Sequence, residues 1–126
     1  MKKTIRFVST TTFKGVEASR KEGTRHRLRF HNGMMRDWYE WEKIAVIATA
    51  YDRNKPIAKA ILLNTRDAGI NIGVYVRPEY RRLGVGKKLA QLIKRRNSTR
   101  KRKIMIRCAF DGTAGRDFYA SVGIQE

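Results

Sequence analysis

The most constraining feature of the sequence is a strand, a loop and a helix that follow one another in the second half of the chain. Ile72, Val74 and Val76 alternate with small or polar residues at the strand period, and Pro78 ends the strand. Apolar residues resume with helical spacing from Val85 onwards. The loop therefore opens onto a helix N-terminus, where N–H groups without intrahelical partners favour an anion such as phosphate.

The loop itself reads Arg81-Arg82-Leu83-Gly84-Val85-Gly86-Lys87. Its two glycines bare the backbone, and its arginines add positive charge beside the helix N-terminus. A Walker A loop needs Gly-Lys-Ser/Thr and a Rossmann loop needs Gly-x-Gly-x-x-Gly, and neither is present. The pattern Arg-x-x-Gly-x-Gly, after a Val-x-Val strand end and before an amphipathic helix, resembles the acetyl-CoA signature of the GCN5-related N-acetyltransferases (GNAT).

A second segment, near the end of the sequence, resembles the other hallmark of this family. It reads Phe118-Tyr119-Ala120-Ser121-Val122-Gly123-Ile124, and the family pattern is Phe/Leu-Tyr-x-x-x-Gly-Phe. The resemblance implies that Tyr119 donates a proton to the departing coenzyme A thiolate and that Phe118 is a hydrophobic neighbour of the cofactor. The chain departs from the family at Ile124, where a phenylalanine is usual, and at Asp111-Gly112, where an asparagine is common.

The resemblance also implies a fold and a set of site residues. The expected fold class is α/β, with a mixed, mostly antiparallel central sheet flanked by helices, and acetyl-CoA is the expected acetyl donor. The edge of the strand would hold the pantetheine amides, and the backbone N–H groups of the loop would hold the pyrophosphate. Tyr119 is the implied catalytic residue. The implied cofactor-binding residues are Val74, Val76, Arg81, Arg82, Leu83, Gly84, Val85, Gly86, Lys87 and Phe118.

The other periodic segments predict the elements around these motifs. The predicted elements are a strand at residues 4–9, a helix at 10–23 that ends near Gly23, strands at 44–51 and 57–63 in a hairpin, a strand at 104–110 and a helix at 113–122. Thr10 to Thr12 are candidate caps for the start of the first helix, and Gly123 suits a C-cap of the last one. With 126 residues we expect one domain. Residues 1–43 would be a variable acceptor-side segment, and residues 44–126 would carry the sheet, the cofactor loop and the C-terminal motif.

Aromatic and acidic residues are concentrated at residues 34–42 of an otherwise basic chain. Trp38 and Trp41 are spaced to pack on the core as a helical pair. Alternatively the stretch forms a lip of the acceptor site, where Glu40 and Glu42 would orient or deprotonate an amine. The motif strands contain no evident base, which favours an α-amine acceptor, because its pKa near 8 leaves it partly neutral.

The net charge of +18 implies an acidic partner, and the phosphates of coenzyme A account for only a few of these charges. Nucleic acid is the leading candidate for the remainder. The alternative is a solvated basic face without a polyanionic ligand. The basic stripe predicted along the outer face of the cofactor helix and the loop after it consists of Lys87, Lys88, Lys94, Arg95, Arg96 and Arg100 to Lys103.

Composition limits the other possibilities. Cys108 is the single cysteine, which excludes an internal disulfide and, with two histidines, makes a metal site improbable; we expect no metal and a buried thiol. No apolar run approaches the roughly 20 residues that span a bilayer, and the first residues lack the apolar block of a signal peptide. We therefore expect a cytoplasmic protein without a membrane partner, either a monomer or a homodimer.

Three functional interpretations follow from these observations. The first is an acetyl-CoA-dependent N-acetyltransferase that acts on an amine of a nucleic-acid-associated acceptor, such as aminoacyl-tRNA or a nucleic-acid-bound protein. The second is a transferase for protein lysines, protein N-termini or small amines. The third is a non-catalytic nucleic-acid-binding protein that keeps the same fold, which the intact Arg81-x-x-Gly84-x-Gly86 motif argues against.

Overall fold

The computed structural model describes residues 4–28, 43–64, 71–106 and 112–124, and for residues 112–116 it describes the backbone alone. The strands are β1 (Ile5–Thr10), β2 (Ile44–Asp52), β3 (Lys55–Leu63) and β4 (Ile72–Val76). The helices are α1 (Phe13–Arg25), α2 (Val85–Ser98) and α3 (Gly112–Ser121), with a short 3₁₀ turn at Pro78–Tyr80. The predicted tryptophan and glutamate cluster and Cys108 lie outside the described residues.

The four described strands form one antiparallel sheet in the order β1-β2-β3-β4. The predicted hairpin of β2 and β3 is confirmed, with Asp52 paired to Lys55 across its turn. Arg53 adopts a left-handed φ of 58° in that turn. The α/β fold class with helices flanking a sheet is likewise confirmed.

Each face of the sheet is covered by different helices. On one face, α2 and the end of α3 pack against the sheet and bury Val46, Ala60, Leu62, Leu89, Ile93, Val122 and Ile124. On the other face, α1 packs against the sheet and helps to bury Val16, Ile44, Ile47, Ile61 and Leu63. Because successive strand residues point to opposite faces, β3 is apolar at nearly every position and serves both layers.

Helix α1 begins as predicted but ends later than predicted. Thr12 caps it, with its hydroxyl accepting a hydrogen bond from the Gly15 N–H at 3.1 Å. The helix ends at Arg25, two residues beyond the predicted Gly23, which is buried inside the helix. The chain leaves the helix at Arg27, whose φ of 57° is left-handed, and the N–H of Leu28 donates to the Gly23 carbonyl at 2.9 Å. This Schellman motif forms without glycine and brings Leu28 into the interior.

The predicted start of α2 and the predicted C-cap of α3 are both observed. Helix α2 begins at Val85, as the spacing indicates. Helix α3 ends in a second Schellman motif, in which Gly123 has a φ of 76° and the Ile124 N–H donates to the Tyr119 carbonyl at 2.9 Å. The glycine predicted as a C-cap therefore supplies the left-handed residue that the motif requires.

The prediction of a strand at 104–110 is wrong over its described part, residues 104–106, which belong to no strand. Two buried asparagines bind this backbone instead. The Asn97 side chain donates to the Ile104 carbonyl at 2.7 Å and accepts from the Ile104 N–H at 3.0 Å. The Asn71 side chain donates to the Met105 carbonyl at 2.6 Å. Side-chain amides thus satisfy backbone groups that a strand ladder would otherwise occupy. Residues 107–110 lie outside the described residues.

Candidate active site

The main-chain groups of Val74 and Val76 in β4 point away from the neighbouring strand, β3. The Arg77 N–H donates to the Ile57 carbonyl at 3.0 Å, which sets the hydrogen-bonding phase of the pair. In an antiparallel pair the main-chain groups of alternate residues point to opposite sides, so those of Tyr75 and Arg77 face β3. Those of Val74 and Val76 therefore face the opposite edge, as a strand that binds extended amides requires.

Two adjacent residues, Tyr80 and Arg81, hold the loop after β4. The Arg81 Nε donates to the Val76 carbonyl at 3.1 Å, so this arginine folds back onto the end of the strand. Tyr80 is buried, and its hydroxyl donates to the Asp52 carboxylate on the β2–β3 hairpin. That hydrogen bond raises the pKa of Tyr80, so the phenol remains a donor. One of the predicted cofactor residues, Arg81, therefore also positions the loop.

The loop and the first turn of α2 leave backbone N–H groups available. Arg82 and Gly84 have left-handed φ values of 65° and 77°. The first hydrogen bond of the helix runs from the Lys88 N–H to the Gly84 carbonyl at 3.1 Å, so the N–H groups of residues 85–87 precede the ladder. A Cβ built on Gly84 would meet nothing within 4 Å, so the space beside this residue is open. An anion in that space would meet several N–H groups and the positive end of the helix dipole.

Gly86 lies where α2, β4 and α3 come together. A Cβ at this position would lie 3.3 Å from the Phe118 ring and 3.4 Å from the Val76 side chain. The glycine therefore permits close packing of the three elements, a role that differs from that of Gly84. The two sequence motifs, which are about thirty residues apart in the sequence, meet at this contact.

Tyr119 is adjacent to that contact. Its ring lies edge-on to the Phe118 ring, with centroids 4.9 Å apart, and it packs half-buried against the core on the α2 face. Among the predicted site residues, those at 81–84 and Lys87 are exposed, whereas Val85 is buried in the core. The predicted set otherwise converges on the end of β4 and the start of α2.

The sequence does not predict a second polar cluster, on the α1 face. Lys59 is fully buried in β3, and its ammonium donates to Ser19 at 2.7 Å, to Thr49 at 2.8 Å and to Glu22 at 2.9 Å. Burial lowers the pKa of Lys59, but three acceptors match the three N–H groups of an ammonium. Tyr51 completes the cluster by donating to the Glu22 carboxylate at 2.8 Å. The available signal is one lysine inside an otherwise apolar strand.

The partners of this cluster also have shifted pKa values. Burial works to raise the pKa of Glu22, but hydrogen bonds from Lys59 and Tyr51 outweigh it, and the net pKa falls below its usual 4.5. Burial and the hydrogen bond to Glu22 raise the pKa of Tyr51 to about 12. The cluster therefore holds one ammonium, one carboxylate and one neutral phenol, and it joins α1 to the sheet.

Comparison with known proteins shows the family of this chain. The model of the Acetyltransferase (GNAT) family matches residues 16–124, so the chain belongs to this family. It is an acetyl-CoA-dependent N-acetyltransferase, and acetyl-CoA is its donor substrate. A search of curated proteins found no match.

Solved structures share the fold at low sequence identity. A GNAT family acetyltransferase from Streptococcus pneumoniae TIGR4 is 21% identical, with a TM-score of 0.61 over 96% of this chain and 87% of that one. The aminoglycoside N-acetyltransferase AAC(6')-Iy in complex with CoA is 17% identical, with a TM-score of 0.64 over 100% and 91%. A predicted acetyltransferase with acetyl-CoA from Clostridium acetobutylicum is 16% identical, with a TM-score of 0.55 over 98% and 91%.

Two further observations concern the part of the chain that the structure describes. No helix in it is both long enough and apolar enough to cross a membrane. It also contains no group of three or more histidine, cysteine, aspartate or glutamate side chains that could hold a metal ion.

Proposed function

We propose that this enzyme acetylates an amine on a nucleic acid or on a nucleic-acid-bound protein, such as the α-amine of aminoacyl-tRNA. The proposed acetyl-CoA site is supported by one observation: the edge of β4, the Gly84 loop and Phe118 lie close together. A single cysteine is typical of a reducing compartment, so we place the reaction in the cytoplasm.

The proposed cofactor contacts follow from the backbone directions. The main-chain groups of Val74 and the N–H of Val76 would bind the pantetheine amides as an added strand binds a sheet edge, because the Val76 carbonyl already accepts a hydrogen bond from Arg81. The N–H groups of Arg82 to Lys87 would bind the pyrophosphate, and the side chains of Arg81 and Arg82 would add positive charge. Phe118, which packs against Gly86, would border the pantetheine chain.

The chemistry requires three groups around the thioester. The amine attacks the carbonyl carbon, and a backbone N–H at the β4 edge stabilises the oxyanion that develops. The C–S bond then breaks, and the coenzyme A thiolate takes a proton from Tyr119. The attacking nitrogen loses one proton as the amide forms, and this proton restores the Tyr119 phenol. A phenol with an ordinary pKa of about 10 holds this proton at neutral pH. An acceptor amine with a pKa near 8 would supply its lone pair without a dedicated base.

The charge of the protein supports the acceptor class. An acceptor rich in protonated amines would be repelled by a net charge of +18, whereas an amine attached to a polyanion would be attracted. Electrostatic attraction would raise the encounter rate and would make it dependent on salt.

The experiment measures thiol release from acetyl-CoA with three acceptors: aminoacyl-tRNA, a lysine peptide and a small primary amine. We expect the highest kcat/KM with aminoacyl-tRNA, and with Tyr119→Phe we expect turnover to fall about 10²- to 10⁴-fold while acetyl-CoA affinity is unchanged. Equal turnover by Tyr119→Phe would reject the proton-donor role. A preference for the peptide or the small amine would reject the proposed acceptor and favour the corresponding alternative.

A further inference from the structure

The chain segment from Lys87 to Lys103 carries nine basic side chains and no acidic one. Among the described residues none of the nine makes an ion pair with a carboxylate. Two of them have other contacts: the Lys88 ammonium lies 5.5 Å from the centroid of the Phe7 ring, and the Lys94 ammonium donates to the Val122 carbonyl at 2.8 Å. The charge that remains for a partner is therefore concentrated near the end of α2 and beyond it, rather than evenly along the helix.

The loop after α2 is anchored at its base. Asn97, which is 7% exposed, binds both backbone groups of Ile104 and so closes the loop between them. Asn71 holds the next residue of the same segment through the Met105 carbonyl. The exposed side chains of Lys101, Arg102 and Lys103 are consequently presented from a loop of fixed base. Because the base of the loop is fixed before binding, less conformational entropy is lost when a ligand binds.

An open cavity of about 220 Å³ lies beside this loop, and Arg100 lines it together with Thr11, Phe13, Lys43 and Asn64. Arg100 lines the cavity, and its Nη1 is buried without a hydrogen-bond partner, so this guanidinium keeps an unused donor. Phe13, the first residue of α1, is 64% exposed at the rim. The cavity thus combines a guanidinium, a lysine and an aromatic ring.

We propose that the surface formed by Phe13, Arg100 and the basic loop of residues 101–103 binds a single-stranded segment of nucleic acid. The phosphates would contact Arg100 and the three cations of the loop, and one base would stack on the Phe13 ring. This proposal rests on the nucleic-acid-associated acceptor proposed above, and it names the surface that holds that acceptor. Positive charge alone fits any polyanion, but an aromatic ring beside a guanidinium specifically fits a base beside its phosphate.

The surface is distant from the cofactor loop. Strand β1 ends at Thr10 and strand β3 ends at Leu63, both at the end of the sheet where β2 begins. The cavity lies at this end of the sheet. The Gly84 loop follows Val76, at the other end of β4. Changes at the proposed surface should therefore leave acetyl-CoA binding unaltered, which separates the two sites experimentally.

The test is fluorescence anisotropy with a labelled oligouridylate, a duplex of the same length and polyglutamate, over a salt series and without acetyl-CoA. Lys101→Gln/Arg102→Gln/Lys103→Gln should weaken oligouridylate binding and flatten the log–log salt slope by about 2 units, at about 0.7 per phosphate. The matched control, Arg25→Gln/Arg53→Gln/Lys55→Gln, removes three exposed charges from the opposite end of the sheet and should leave the slope closer to that of the wild type. Phe13→Leu should weaken oligouridylate binding roughly 5- to 100-fold and duplex binding much less.

Three results would overturn the proposal: equal effects of the two triple variants, no effect of Phe13→Leu on oligouridylate, or polyglutamate binding as tight as that of oligouridylate. The last result would identify an acidic protein as the partner. Calorimetry with acetyl-CoA on the same variants distinguishes this failure from failure of the proposed function. If acetyl-CoA binding is lost only in Lys101→Gln/Arg102→Gln/Lys103→Gln, that variant is misfolded. If acetyl-CoA binding is normal, the surface was wrongly assigned. The control variant and the melting temperature of each protein show which case applies.

Discussion

The buried Lys59–Glu22 pair supports a prediction about stability in which the two partners are unequal. Lys59 has no exposed side-chain surface, whereas the Glu22 side chain is 21% exposed. Replacing Glu22 with leucine leaves a buried ammonium with two hydroxyl acceptors and no counter-charge. Replacing Lys59 with methionine leaves a carboxylate that still accepts from Tyr51 and still reaches water.

The magnitudes follow from that difference. Removing one partner of a buried ion pair costs about 3–5 kcal/mol when the remaining charge is uncompensated, and this applies to Glu22→Leu. For Lys59→Met we expect about 1–2 kcal/mol, since the carboxylate keeps a hydrogen bond and partial hydration, and methionine fills a similar volume. The double variant leaves no buried charge, so its cost should be about 1–2 kcal/mol and lower than the sum of the single costs.

Urea denaturation of the four proteins measures these costs by linear extrapolation. The expected order of unfolding free energy is wild type, then Lys59→Met and the double variant together, then Glu22→Leu. Equal losses in the two single variants, or an additive double variant, would show that the uncompensated ammonium is not the main source of the instability. Circular dichroism of each folded protein is the control for a changed structure.

Three shorter predictions concern Gly84, the pH dependence due to Glu22, and Gly123. Gly84→Val should weaken acetyl-CoA binding in calorimetry about 5- to 30-fold, because a left-handed φ costs a side chain about 1–2 kcal/mol, and normal affinity would exclude this loop as the phosphate site. The lowered pKa of Glu22 means that its stabilisation is present above the unfolded pKa and is lost as pH falls through the folded pKa. Urea midpoints should therefore fall more steeply below pH 4.5 in the wild type than in Glu22→Gln, and parallel curves would refute this. Gly123→Ala should cost about 1–2 kcal/mol in urea unfolding, since φ is 76° and the new Cβ would lie 2.9 Å from the Lys94 ammonium; a neutral result would show that the cap relaxes.

Features that depend on neighbouring residues could be predicted from the sequence. The strand before Pro78, the helix start at Val85 and the C-cap at Gly123 each follow from local periodicity or local backbone preference, and all three are observed. The family resemblance also depends on local order, since both motifs are short and contiguous. The roles of the individual site residues stay predictions until acetyl-CoA binding is measured.

Features that depend on distant partners could not be predicted in this way. The end of α1 was expected at a glycine, but Arg27 takes the left-handed position because burial of Leu28 helps to offset its strain. The segment from Ile104 has the alternating apolar pattern of a strand, but the side chains of Asn97 and Asn71 occupy its backbone carbonyls. In both cases tertiary packing outweighs a local preference.

The sequence by itself therefore determines the strand–loop–helix unit, the hairpin and the membership of an acetyltransferase family, because these depend on spacing along the chain. Only the tertiary structure decides towards which edge of β4 the main-chain groups of Val74 point, since this direction depends on how β4 is hydrogen-bonded to β3. The same is true of Lys59, whose burial is tolerated because α1 brings Ser19 and Glu22 over the sheet. A charge count indicates a polyanion, but folding alone places Phe13 and Arg100, almost ninety residues apart in sequence, beside one cavity.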